Sequence, residues 1–399
     1  MFMSLGKPAR ATALAFAVLL GACGGGGGDH AAPPPDHSGP PGAAAGPTYD
    51  LIPLGFPGAY GTITRKSIAN GGIVVGTSWG GADGNPHAFL YNGSTETDIG
   101  SLGGGWARAQ GVNRCGHVTG YSGRADGLTH AFLYDGAMHD LGTLGGSDSF
   151  GYSISSCGKI TGAALTAGGQ FHAFLYEGKT MKDIGSFGGN SYGLAINAVG
   201  QTTGYSYGPG DAWSHAFLYD SRTGGPIQDI GLPDASSFAV AINDAGQVAG
   251  WWRNDRRIGA FYYDAAGPRD IGTLGGDRAE ATDINAQGIV VGNSTLADGA
   301  QRGFVYDGQK MRSIGVLGNT GYSEAVAINA SGMVVGSATD ANGGQHAVTW
   351  TGKDGLVDLN GRLHAAPPGL VLDQALAVAD DGNIAVRTNQ GLALLKLRH

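Results

Sequence analysis

Cysteine is scarce: only Cys23, Cys115 and Cys157 occur in 399 residues. Three widely spaced thiols exclude a disulfide-framework fold and a zinc ribbon, both of which need clustered pairs of cysteines. Charge is thin as well. Asp, Glu, Lys and Arg make up 14% of the chain, and the net charge is −8. An acidic balance without a basic stripe excludes electrostatic capture of nucleic acid. Apolar runs long enough to span a bilayer are missing, since the one run near the N-terminus falls short of the ~20 residues a spanning helix needs.

Glycine is abundant instead: 75 of 399 residues, against a usual ~7%. No Gly-X-Y period runs through the chain, so it is not collagen-like. Each glycine inside a helix costs ~1 kcal/mol relative to alanine, which disfavours a helical fold. Hydrophobic residues reach 42%, too many for simple disorder. Many short strands joined by tight turns satisfy all three constraints.

Residues 1–22 read as an export signal. Lys7 and Arg10 give the basic start, and 11–20 form a short apolar run. Leu20-Gly21-Ala22-Cys23 resembles the bacterial lipobox. That resemblance implies lipidation at Cys23 and, with Gly24 rather than Asp next, sorting to the outer membrane; plain secretion is the alternative. Residues 23–48 open on a run of glycines and continue through Pro33-Pro34-Pro35 and Pro40-Pro41. Such a segment buries too little apolar surface to order itself and reads as a disordered tether.

Residues 49–399 are an internal repeat. His-Ala-Phe-Leu-Tyr stands at 87–91, 130–134, 172–176 and 215–219, and degenerate copies follow at 259, 302 and 346. The copies start 42 to 44 residues apart. A second marker follows each copy, as in Asp98-Ile99-Gly100. A third is a hairpin, clearest in Ala241-Ile242-Asn243-Asp244-Ala245-Gly246-Gln247-Val248-Ala249-Gly250. Its turn glycine recurs at 72, 116, 158, 200, 246, 288, 332 and 382, where a left-handed turn residue is expected.

Each unit therefore offers four strands: A (Ala-Ile-Asn), B (Val-Val-Gly), C (His-Ala-Phe) and D (Asp-Ile-Gly). Four strands in about 44 residues predict an all-β fold, a β-propeller of eight four-stranded blades. A lone D-type segment at 50–54 should pair into the last blade and close the ring without leaving a raw edge. Strand A is expected to be innermost. These repeats resemble the HAF family of probable extracellular repeats, over essentially all of 49–399. The resemblance implies export and a repeat-built domain, but no reaction and no ligand.

His87, His130, His172, His215 and His346 invite a metal reading. Equivalent positions on successive blades stand ~10 Å apart, whereas zinc ligands converge within ~2.1 Å of one ion. We therefore expect no metal or cofactor, and read these histidines as structural, buried and bonded to backbone or to aspartate. Cys115 and Cys157 hold the same slot in adjacent units. In an oxidising compartment they could pair; the alternative is two free, buried thiols. No Gly-x-Ser-x-Gly elbow precedes a helix and no P-loop lysine follows the glycine runs, so no catalytic residue is assigned. The B–C connections vary most and carry Trp79, Tyr207, Trp213, Trp252, Arg253, Asp255 and Arg256. Aromatic, arginine and aspartate clusters on loops suit recognition of a protein or glycan. The expected function is a non-catalytic, envelope-anchored binding or scaffold module. A propeller-fold hydrolase or lyase acting on extracellular glycans and a purely structural surface protein are the alternatives.

Overall fold

The computed structural model describes residues 46–55, 60–79 and 83–398. The expected signal, Cys23 and the tether up to residue 45 lie outside the described residues. The first strand begins at Tyr49.

By pairing, the described strands form five four-stranded sheets, one five-stranded sheet whose first strand is broken in two, and one eight-stranded sheet that divides into two four-stranded repeats; the repeats are numbered here as units one to eight along the chain. They span residues 60–98, 103–140, 145–185, 191–229, 236–270, 275–313, 323–358 and 372–397. Unit two shows the pattern: A is Gly103–Val112, B is Val118–Arg124, C is Thr129–Tyr134 and D is Met138–Asp140. Unit eight lacks its own D, and Tyr49–Leu54 fills that place, running antiparallel to Gly391–Leu397. A single parallel bridge, Ile258 to Arg278, links units five and six. The fold is thus all-β and propeller-type, with the N-terminal strand closing the last unit as the offset of the repeat predicts.

The A strands of successive units from two to eight lie against one another, which places A innermost. Closure packs Leu54, Ile63, Val74 and Phe89 of the chain's beginning against Ala377, Leu392 and Leu394 of its end. Two backbone contacts reinforce it: Gly71 N donates to the Asp381 carboxylate, and Asp380 N donates to Asn70 Oδ1.

The repeated residues now have physical reasons. All eight turn glycines have positive φ, between 73° and 90°, a region that costs other residues strain. The asparagine of strand A is a staple between units. Asn243 Nδ2 donates to Asn285 O at 2.9 Å, while its Oδ1 accepts from Ala245 N and Gln247 N in its own turn. Asn113, Asn197, Asn285 and Asn329 repeat the reach to a neighbouring unit's carbonyl. A bare tripeptide motif therefore satisfies buried backbone groups that would otherwise be costly. The phenylalanines of strand C, including Phe89, Phe132 and Phe174, are fully buried. The B-strand glycines make room for them: a Cβ on Gly120 would sit 1.9 Å from Arg108 O and 2.9 Å from the Phe132 ring.

Candidate functional site: the loop end of the ring

Strand direction puts the A–B and C–D turns at one end of the ring, and the B–C loops and D–A crossovers at the other. The five histidines sit near the loop end on strand C, each pairing through Nδ1 with the D-strand aspartate. The distances are 2.9 Å for His87–Asp98, 2.6 Å for His130–Asp140, 2.8 Å for His172–Asp183, and 2.7 Å for His215–Asp229 and His346–Asp358. The aspartate's other oxygen caps the next turn, as Asp98 does for Gly100 N. Only His130 is buried; the others are partly exposed. His87 also meets Asp83, and this hydrogen bond is the first reason its pKa is raised.

Unit five has lost its histidine, and its repair corrects one expectation. Trp252, predicted on the ligand face, is buried at 6% exposure. Its ring occupies the space above Gly259, where the histidine would stand. Arg257 stacks over it at 4.8 Å and takes over the ion pair with Asp270. The expectation of buried cysteines also fails: Cys115 and Cys157 are free and exposed, because each sits in the tip of an A–B turn where the chain has no neighbour to cover it.

The remaining loop residues divide. Asp255 and Arg256 are exposed at a loop tip. Trp213 is 39% exposed and packs against Phe187 and His215 on the outer rim. Trp79, Tyr207 and Arg253 join a larger feature that loop-by-loop reading missed. Arg108 lies over Trp79 at 5.1 Å, Tyr207 meets Tyr205 edge-on at 5.7 Å, and Arg253 lies over Phe238 at 5.8 Å.

That feature is an arc of aromatic rings crossing units two to five. Trp106 contacts Tyr121, and Tyr121 meets Phe150 at 5.2 Å. Phe150 reaches Phe171, which stacks on Tyr192 at 6.1 Å. Tyr192 stacks on Tyr205 at 5.1 Å, Tyr205 meets Phe238 at 4.9 Å, and Phe238 stacks on Trp251 at 4.1 Å. All but Phe238 remain partly exposed. Burial pushes the Tyr192 phenol up to about 12 and that of Tyr205 higher still, so both stay protonated hydrogen-bond donors.

The strand register shows what the arc replaces. The A/B pair at this level is Arg108/Tyr121 in unit two, Phe150/Ala163 in unit three, Tyr192/Tyr205 in unit four and Phe238/Trp251 in unit five. It becomes Glu280/Asn293, Glu324/Ser337 and Gln374/Arg387 in units six to eight. The polar side is a hydrogen-bonded net. Glu324 accepts from Gln374 at 3.0 Å, and from Gln301 and Ser337 at 3.4 Å. Glu280 is paired with Arg278. Burial raises the Glu324 pKa, while Arg387 counters the burial of Asp373. Charge on this side is largely balanced within the chain.

Below the arc, the channel is crossed by a β-turn of unit one. Between Thr62 and Ile68 stand five residues, where Arg108 and Val112 are separated by three. The extra length forms a turn in which Ser67 N donates to Thr64 O. Thr64 donates to Gln110 O, Lys66 to Leu194 O and Arg65 to Val240 O. The turn thus touches the inner strands of units two, four and five. No group of three or more His, Cys, Asp or Glu side chains able to hold a metal occurs among the described residues, and none of their helices is long and apolar enough to cross a membrane.

Comparison with family profiles finds no match, and comparison with curated protein sequences finds none either. Solved structures do match. One from a study of two prolyl endopeptidases is 11% identical with a TM-score of 0.53, covering 83% of this chain and 55% of that one. A putative TolB from Agrobacterium tumefaciens is 10% identical with a TM-score of 0.39, covering 53% of this chain and 79% of that one. An oligogalacturonate lyase from Vibrio parahaemolyticus is 11% identical with a TM-score of 0.46, covering 72% and 88%. At such identities the likeness concerns the fold alone.

Proposed function

We propose that this chain is a non-catalytic binding module of the bacterial envelope, tethered through Cys23, whose loop end recognises a neutral glycan. One observation carries the reading. A scaffold that repeats elsewhere changes at one register position, from pairs that carry at least one aromatic ring in units two to five to hydrogen-bonding pairs in units six to eight. Sugars present apolar C–H faces and rims of hydroxyls, so they need rings and polar groups side by side. Glu280 is neutralised by Arg278 and Glu324 is held by neutral donors, so these carboxylates are already engaged within the chain. A glycan array with the full chain, read beside a Tyr192→Ala/Tyr205→Ala variant, tests this. Neutral glycans should bind the parent and not the variant; equal binding, or none by the parent, would overturn it.

The enzyme reading has one observation on its side: Glu324 and Asp373 both have pKa values raised first by burial, as a general acid requires. It predicts cleavage of a bound glycan that Glu324→Gln abolishes. Binding without turnover favours the module.

A further inference from the structure

The turn that crosses the channel also roofs a cavity of about 240 Å³ at the turn end of the ring. Its walls include Ile68, Val112, Ile154, Ile196 and Ile242, the strand-A aliphatic position of units one to five, with the Ser153 hydroxyl among them. Lys66 and Asp283 supply its charged groups. Arg65, next to Lys66, is enclosed with them, and the Asp283 charge acts on both. Arg65 and Lys66 outnumber the one carboxylate, and enclosure opposes all three charges, lowering the pKa of both cations and raising that of Asp283. Among the described residues neither cation makes an ion pair, and Arg65 Nε is buried without an acceptor in the protein. The Asp283 carboxylate is itself engaged by Ile284 N and Ile328 N. All three residues are partly enclosed; charge held there without an ion-pair partner is costly, and a counter-charge is the direct remedy.

We propose that this cavity is a second ligand site, which takes a small aliphatic monocarboxylate. With all three groups ionised, a single negative charge completes the balance of Arg65, Lys66 and Asp283, whereas a dianion would leave an excess against Asp283. The aliphatic walls receive an alkyl tail. Water occupies ~30 Å³ per molecule in the liquid, so the cavity holds a ligand of only about four to six carbons. Burial and the neighbouring Arg65 both push the Lys66 ammonium well below its usual range, a burden that a bound anion relieves. The site is separate from the aromatic arc, so it stands or falls independently of the glycan reading.

The test is thermal unfolding of the full chain titrated with sodium butyrate or isovalerate, with sodium chloride, sodium succinate and 1-butanol as controls at matched concentration. Binding to the folded state alone raises the unfolding temperature in a saturable way. Butyrate and isovalerate should do so, chloride and butanol should not, and succinate should be at least ~10-fold weaker. Lys66→Met should abolish the butyrate shift. Asp283→Asn, which removes the competing carboxylate, should tighten butyrate several-fold and so keeps the test open if Lys66→Met fails to fold. A butyrate shift no larger than that of chloride, or an Asp283→Asn variant that binds butyrate no better than the parent, would overturn the proposal.

Discussion

Two halves of one ring carry the same backbone and opposite surfaces. In units two to five the loop end presents Tyr121, Phe150, Tyr192, Tyr205 and Trp251, linked into one chain of rings through Phe171 and Phe238. In units six to eight the equivalent positions hold Glu280, Asn293, Glu324, Ser337, Gln374 and Arg387. The turn glycines and the asparagine staples continue across both halves, so the division is not a consequence of folding. It teaches that the inner strands set the frame and the loop-end register position sets the surface.

The sharpest way to break the comparison uses two neighbouring tryptophans. Trp252→Ala removes a buried ring, which should cost about 3–5 kcal/mol and appear as a marked fall in denaturation midpoint. Trp251→Ala, one residue away and on the aromatic arc, should cost much less stability but lower glycan affinity. The reverse pattern would mean that the arc is packing and Trp252 is surface. Next in size, Tyr192→Ala/Tyr205→Ala should reduce affinity by roughly 30- to 100-fold, from ring contacts each contributing about 1 kcal/mol or more, as titration calorimetry would read. Asn243→Ala should destabilise by about 1–3 kcal/mol without changing affinity, because it breaks a staple common to both halves. The smallest effect belongs to the polar side. Burial raises the folded-state pKa of Glu324 above its unfolded value, so the group favours folding most when protonated. Stability should therefore decline as pH rises from the unfolded pKa through the raised folded one. Glu324→Gln should flatten that part of a stability–pH curve; an unaltered slope would place the burden on another group.

Much of the frame was legible in the sequence for a physical reason. Turn glycines need positive φ, strand-C phenylalanines need a core, and the lone segment at 50–54 needs a partner; each requirement recurs or stands out at fixed spacing. The histidine–aspartate pairs were legible in the same way, although four of the five histidines proved partly exposed. The aromatic arc is hard to see in the sequence because its residues lie within the strands, whereas the variable segments are the loops. Its signal sits at a fixed offset in three of the four units: Tyr121, Tyr205 and Trp251 each follow the B-strand glycine, where unit three has Ala163 and the other side has Asn293 and Ser337. Trp252 misled because adjacent strand residues point to opposite faces, and only the lost histidine of unit five shows which face has room. The charges roofing the lower cavity gave no motif at all. Lys66 and Asp283 are 217 residues apart in sequence, and only ring closure brings them together.

The central claim is that the aromatic half of the loop end, together with its polar counterpart, holds the ligand. A glycan array comparing the parent with Tyr192→Ala/Tyr205→Ala and with Asp255→Ala/Arg256→Ala at the loop tip tests it most directly. The account predicts that the tyrosine variant loses the neutral glycans bound by the parent, while the loop-tip variant keeps them. Retention by the tyrosine variant and loss by the loop-tip variant would contradict it.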